Sequence, residues 1–167
     1  MNRRSVAALP LIIPALVMVA LAMSAAVAAS FTYSFQLTGP QITADPNTGA
    51  TIRTTGSGSF SQSPPAVVAS GSFAEFDASG SETARGTWVA TSFGNFTPFG
   101  GPVAGFQGGV LHITVTLVED SGATRAGVPM TVNCLVDAPA GFTGSEGDSI
   151  GDFTVQLRGR TLFHLNQ

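Results

Sequence analysis

The chain has 167 residues, of which 44% are hydrophobic and 10% charged, and its formal net charge is −3. The chain has ten carboxylates and seven arginines, and it has no lysine. Such a chain lacks the cations that neutralise a phosphate backbone or an anionic lipid surface, so nucleic acid and acidic membranes are not expected partners. Cys134 is the single cysteine, which excludes an internal disulfide.

Residues 1–29 have the features of an export signal. Arg3 and Arg4 give a positive start, and residues 9–22 are almost wholly apolar. Residues 26–28, Ala-Val-Ala, are the small side chains that export peptidases require at a cleavage site. We therefore predict a signal-peptide helix that is removed from the mature protein.

The predicted mature protein is one domain, residues 30–167, that is secreted or held in the cell envelope. It keeps five arginines and ten carboxylates, for a net charge of about −5. Retention of the leader as a membrane anchor is the alternative, although Pro10 and Pro14 interrupt its apolar run. After cleavage we expect no association with a membrane.

Alternation of apolar and polar side chains predicts strands throughout the mature chain. In FTYSFQL, residues 31–37, the aromatic and aliphatic side chains fall on one face. VLHITVTLV, residues 110–118, alternates in the same way, and a helical period is nearly absent. About eight strands are predicted: residues 31–37, 51–55, 67–76, 83–93, 110–118, 129–136, 153–158 and 161–165.

Short strands joined by brief turns predict antiparallel pairing, because parallel neighbours need long crossover segments. We expect an all-β fold, a single small antiparallel β-barrel, with a two-sheet β-sandwich as the alternative. The layout is similar to small exported barrels of the calycin and allene-oxide-cyclase-like type. This similarity concerns architecture only, and it implies no function.

Ser-Gly-Ser occurs three times, at residues 57–59, 70–72 and 79–81. A phosphate-binding loop would need a lysine and a following helix, and the sequence offers neither. Glycine in a strand permits the sharp bends of a closed sheet. Gly58 and Gly71 each lie two residues before a Phe, and Gly86 lies two before Trp88, so glycine and ring share a face and we expect aromatic rings to lie over glycines.

The segment FGNFTPFGGPVAGFQGG, residues 93–109, concentrates aromatic rings among glycines and prolines. Its composition predicts a long apolar loop between two strands, and loops of this kind are often functional. One interpretation is that the rings close one end of the barrel as core. The sharper one is the lip of an apolar ligand or partner site, formed by Phe93, Phe96, Phe99, Phe106 and the nearby His112.

His112 and His164 are the only histidines of the chain, and each lies in a predicted strand. With a carboxylate, two histidines could bind a metal ion, or one could act as a general base. An ordinary strand histidine is the alternative. The sequence does not show whether two remote strands bring these side chains together.

GSEGDSIGD, residues 144–152, gathers Glu146, Asp148 and Asp152 between glycines. Carboxylate oxygens of this kind are preferred ligands of calcium, so the segment is a weak calcium candidate. The spacing matches no calcium loop, and a solvated acidic turn is the alternative. No cofactor or other metal site is predicted.

We therefore expect an exported, non-catalytic protein that binds a small apolar molecule or a partner through residues 93–109. Two alternatives remain open. The first is an enzyme, an isomerase, cyclase or hydrolase, that uses a histidine–carboxylate pair. The second is a structural or adhesive envelope protein whose phenylalanines are sealed inside.

Overall fold

The structure, a computed structural model, describes residues 32–166, so the predicted export signal lies outside the described residues. Within them the chain forms strands and no helix, which confirms the all-β expectation. No described segment is therefore a helix able to cross a membrane. The strands are β1 (Tyr33–Ala44), β2 (Thr51–Gln62), β3 (Pro65–Phe76), β4 (Glu82–Val103), β5 (Phe106–Glu119), β6 (Thr124–Cys134), β7 (Gly147–Ile150), β8 (Val155–Arg158) and β9 (Thr161–Leu165).

All the pairings between these strands are antiparallel, as the short connections predict. Following the hydrogen-bonded neighbours gives the order β4-β3-β2-β1-β9-β5, and β5 pairs again with β4. Six strands therefore form a ring. Outside the ring, β6 pairs with β5, β7 pairs with β6, and β8 pairs with β1.

Some strands are longer than predicted, because a bulge interrupts the alternation of apolar and polar side chains and the strand continues beyond it. β1 continues past residue 37 to Ala44, because the sheet register shifts between Leu37 and Gln41 and then resumes. β9 has the predicted bounds, residues 161–165. The short strand β7 lies in a segment that was predicted to be a turn.

Residues 93–109 are not a loop, contrary to the prediction. β4 extends to Val103 and β5 begins at Phe106, so only Ala104 and Gly105 lie between them. Three register shifts along the β4–β5 pair break the two-residue alternation, and glycines and prolines mask the remaining pattern. The segment is thus the end of a long hairpin.

The core lies on the inner face of the ring. In β5 the side chains of Leu111, Ile113, Val115 and Leu117 are buried while His112 is exposed, as the alternation predicts. Buried rings come from five strands: Phe35, Phe60, Phe73, Trp88, Phe96 and Phe163. Burial also raises the pKa of the Cys134 thiol, which keeps this side chain neutral.

Glycines make room for Trp88, although they are not the glycine that the sequence pattern paired with it. Gly56, Gly71 and Trp88 occupy one row across β2, β3 and β4. A Cβ atom on Gly56 would lie 2.2 Å from the Trp88 ring, and one on Gly71 would lie 2.5 Å from its Nε1. The contacts run between strands, whereas the sequence pattern pointed to neighbours along one strand. Trp88 Nε1 donates a hydrogen bond of 2.9 Å to the carbonyl of Thr55.

Candidate functional site

The β4–β5 hairpin brings several of the predicted site residues into one aromatic cluster. Phe96 is buried, and its ring centroid lies 4.9 Å from that of Phe60 and 5.2 Å from that of Phe163. Tyr33 lies 5.0 Å from Phe96, and the partly buried Phe93 stacks on Phe60 at 6.0 Å. These rings contact one another, as the interpretation of a closed barrel end requires.

The remaining predicted residues lie outside this cluster. Phe99 is buried and packs edge-on against Phe142 of the β6–β7 connection, at 4.8 Å. Phe106 is partly buried beside His164, with ring centroids 4.5 Å apart. His112 is exposed on β5, and its Nδ1 lies 3.0 Å from Thr131 Oγ1. The structure therefore does not gather the five residues into one pocket lining.

The tip of the hairpin is exposed and apolar. Residues 100–104, Gly-Gly-Pro-Val-Ala, are all exposed, and Val103 keeps 55% of its surface accessible. Ala104 and Gly105 both have positive φ, +52° and +82°, as a two-residue turn of the I′ type requires. From Gly86 to Val118 the sequence contains no Asp, Glu, Lys or Arg.

The two histidines lie apart from each other and contact different neighbours. Thr131 is the hydrogen-bond partner of His112, and Phe106 is the ring neighbour of His164. Within residues 32–166, no ion pair joins either imidazole to a carboxylate. The described residues also contain no group of three or more His, Cys, Asp or Glu side chains that could hold a metal ion.

The three calcium candidates have different surroundings in the structure. The Glu146 carboxylate accepts backbone hydrogen bonds from Leu135 and Thr161, both at 2.7 Å, and thereby ties two segments together. Asp148 lies on β7 and is turned into the core by the alternation of the strand, while Asp152 is exposed. The three residues are close in sequence, but their carboxylates do not form a group that could hold a metal ion.

Asp148 is a buried acid with a single side-chain partner. It is only 2% exposed, and its Oδ2 accepts a 2.5 Å hydrogen bond from the Thr54 hydroxyl. Its Oδ1 is buried without a hydrogen-bond partner among the described residues. Thr43 donates to the Asp148 main-chain oxygen at 3.0 Å. Burial raises the pKa of Asp148 to about 6, and the threonine hydroxyls offset this only in part.

The sequence alternation contains a signal for this burial that was missed. Asp148 and Ile150 are two residues apart in a strand, so they share a face, and both are buried. Asp148 also lines a polar surface depression of about 200 Å³ with Asn133, Ser149 and Gln156. Because its carboxyl is bonded to Thr54 in the interior, the Asp148 side chain is not placed to act on a molecule in that depression.

An arginine row crosses the outer face of the sheet. Arg53 of β2 and Arg158 of β8 both pair with Ile42 of β1, and Arg53 and Arg85 of β4 both pair with Ala74 of β3. Residues directly opposite in antiparallel strands point to the same side, so Arg158, Arg53 and Arg85 share one surface. All three side chains are exposed. Sequence reasoning missed this row because its members are far apart in the chain.

A shallow depression of about 450 Å³ lies between two members of the row. Arg53 and Arg85 flank it, and Ser72, Ala74 and Phe76 are among its lining residues. The Arg53 guanidinium lies over the Phe76 ring, 4.6 Å from the centroid, in a cation–π contact. Glu82 and Asp120 also line the depression on the side of Arg85, so its cationic end is at Arg53.

Comparison with protein-family models, with curated proteins and with solved structures finds no match to this chain. A function therefore has to be inferred from its own residues.

Proposed function

We propose that this chain is an exported, non-catalytic β-barrel module that binds an apolar partner surface through the β4–β5 hairpin. The ring of six strands supports a barrel over a two-sheet sandwich, because a sandwich leaves free edges where the ring pairs β5 with both β4 and β9. The predicted export signal supports a location for such a module outside the cytoplasm.

A single observation carries the binding proposal. The hairpin exposes residues 100–104, yet its two strands lack charged residues from Gly86 to Val118. A surface that only meets water is rich in charged side chains, whereas interaction surfaces are depleted in them. An uncharged, protruding tip of Pro102, Val103 and Ala104 therefore fits contact with the apolar surface of another macromolecule.

A partner surface is favoured over a small apolar ligand held between the rings. Phe96 and Phe99 are buried, and each already has another ring as its neighbour within about 5 Å. A ligand would have to displace these contacts, while a partner at the tip displaces only water. Buried rings are also expected of a structural or adhesive envelope protein. The two functions are compatible, because a module that binds a partner through the hairpin can also be adhesive.

The proposal is tested with Val103→Asp and two apolar probes, the neutral dye Nile red and a phenyl resin. Val103 is exposed, so the substitution leaves the core intact and places a charge on the tip. We expect saturable Nile red binding to the wild-type protein and a loss of affinity on the order of tenfold in the variant, because about 1.4 kcal/mol of aliphatic contact is removed. Retention on the phenyl resin falls in parallel.

Val68→Asp is the matched control, since Val68 is 65% exposed on β3, away from the hairpin tip. It should bind Nile red as the wild-type protein does. Absence of saturable binding, or an equal loss in both variants, contradicts the proposal. Far-UV circular dichroism of both variants shows that each is folded.

A further inference from the structure

We infer that the arginine row of Arg158, Arg53 and Arg85 binds an acidic polysaccharide across the outer face of β8, β1, β2, β3 and β4. This surface differs from the hairpin tip, so the inference goes beyond the proposed function and does not depend on it.

The spacing of the row follows from the sheet. Arg158 and Arg53 are separated by β1, and Arg53 and Arg85 are separated by β3. Because neighbouring strands lie about 4.8 Å apart, successive arginines of the row stand roughly 10 Å from one another at the backbone. The three cations therefore form a line that runs across the strands, with the small or aliphatic residues Ala74 and Ile42 between them.

Two members of the row have free charges. Within residues 32–166, neither Arg53 nor Arg158 forms an ion pair. Arg85 is bound by Glu82, whose oxygens accept its Nε and Nη2 at 2.5 and 2.8 Å. Arg125, in contrast, lies off the row and pairs with Glu75. Arg53 and Arg158 are therefore the members of the row that can bind an anionic ligand, against the net charge of about −5 of the mature chain, whereas Glu82 and Asp120 offset the charge of Arg85.

The surface between the cations can accommodate sugar rings. The depression beside Arg53 has an apolar floor at Ala74 and a hydroxyl at Ser72, which lies 2.8 Å from Thr55 Oγ1. Hydroxyls and small apolar patches complement the polar edges and C–H faces of a sugar. The stacking of Arg53 on Phe76 holds the guanidinium over the sheet, so less rotamer entropy is lost when it binds a carboxylate or sulfate.

An acidic polysaccharide fits the charge density of the row better than nucleic acid does. A nucleic-acid strand carries a phosphate about every 3.4 Å, and three arginines roughly 10 Å apart neutralise few of them. The ring of Phe76, which could stack on a base, is covered by Arg53. In a polysaccharide with an acid group on alternate sugars, the charges are more widely spaced than the phosphates of a nucleic acid, and so they match the spacing of the row better.

The test measures binding of the mature protein, residues 30–167, to hyaluronate oligosaccharides, with neutral dextran and an oligo-dT strand as competing probes. We expect saturable binding to hyaluronate that weakens with added salt, and none to dextran. Arg53→Gln combined with Arg158→Gln should lower the affinity at least tenfold without changing the thermal midpoint, because both side chains are exposed.

Arg125→Gln is the charge-matched control, because Arg125 lies on β6, off the row. It should bind hyaluronate within about twofold of the wild-type affinity, and so should Val103→Asp. Absence of binding to hyaluronate overturns the inference. An equal loss in Arg125→Gln shows unspecific attraction, and tighter binding to oligo-dT shows a nucleic-acid surface; either result also overturns it.

Discussion

At the scale of single residues, Asp148 shows how a strand pattern places an ionisable group in the core. Its position on β7 turns the side chain inward, where the Thr54 hydroxyl donates a hydrogen bond to the carboxyl. Loss of hydration raises the pKa of Asp148 to about 6, from 3.8. No charged neighbour contributes to the shift, so burial dominates. A carboxyl of this kind is neutral in mildly acidic solution.

The raised pKa predicts that stability falls as the pH rises from about 4 to about 6. In this window the folded protein keeps the Asp148 proton and the unfolded chain releases it, so the native state binds more protons. The rise from 3.8 to about 6 corresponds to about 3 kcal/mol of unfolding free energy. Asp148→Asn should remove this dependence and be more stable than the wild-type protein at pH 7.5, as measured by urea unfolding at several pH values.

Asp152→Asn is the control for this prediction, because Asp152 lies on the same segment but is exposed. It should retain the wild-type pH profile. If Asp148→Asn and the wild-type protein lose stability equally between pH 4 and pH 6, the Asp148 carboxyl is not the source of the effect.

At the scale of elements, the β4–β5 hairpin was the hardest segment to predict. Phe93 and Phe96 follow three-residue spacing and still share the inner face, because the register shift between Phe93 and Asn95 inserts an extra residue. Phe99 lies three residues beyond Phe96 with no shift between them, so its ring is on the other face and packs against Phe142. Neither a two-residue nor a helical period survives, and the sequence pattern therefore indicated a loop. Phe96 of this segment nevertheless packs into the buried cluster, against Phe60 and Phe163.

The turn of this hairpin carries a strained alanine, and this predicts a stabilising substitution. Ala104 has φ +52°, a left-handed conformation that costs a residue with a Cβ about 1 kcal/mol. Asparagine tolerates that conformation, and Asn-Gly is a preferred pair for a two-residue turn. Ala104→Asn should stabilise the hairpin by about 1 kcal/mol, measured by hydrogen exchange of its amides and by thermal unfolding.

Ala78→Asn provides the comparison, because Ala78 is exposed in the β3–β4 turn and is not among the described residues with positive φ. It should change the unfolding free energy by less than about 0.5 kcal/mol. Equal effects of the two substitutions would show that a general property of asparagine, and not the turn conformation, is responsible.

At the scale of the whole molecule, β9 joins the two halves of the sheet. It pairs with β1 over residues 161–165 and with β5 at Phe106, and it thereby completes the ring. Its buried Phe163 contacts Phe35, Phe60 and Phe96 at 6.2, 5.9 and 5.2 Å between ring centroids. The last strand in sequence is therefore central in space.

This placement predicts that Phe163→Ala destabilises the whole fold and not the C-terminus alone. Removing a fully buried ring should cost about 3–5 kcal/mol. Urea unfolding is followed by Trp88 fluorescence and by far-UV circular dichroism, and both transitions should shift together to lower urea.

Leu157→Ala, on the exposed β8, should cost less than about 0.5 kcal/mol and serves as the control. A Phe163→Ala protein whose Trp88 transition stays at the wild-type position would show that β9 only frays, and that it is not needed to close the ring.

The sequence alone determined the all-β class, the antiparallel pairing and much of the core. These follow from local rules: alternation assigns one face of each strand to the interior, and short connections allow only antiparallel neighbours. Hence β5 and β9 were predicted well, and Trp88 was expected over glycine.

Only the tertiary structure decided which distant residues meet. The arginine row depends on the register of five strands, and a shift of one residue in any of them would turn a side chain to the other face. The separation of Glu146, Asp148 and Asp152 likewise depends on the pairing of β7 with β6. Strand register depends on side-chain packing and bulges throughout the sheet, so it cannot be read from any local stretch of sequence.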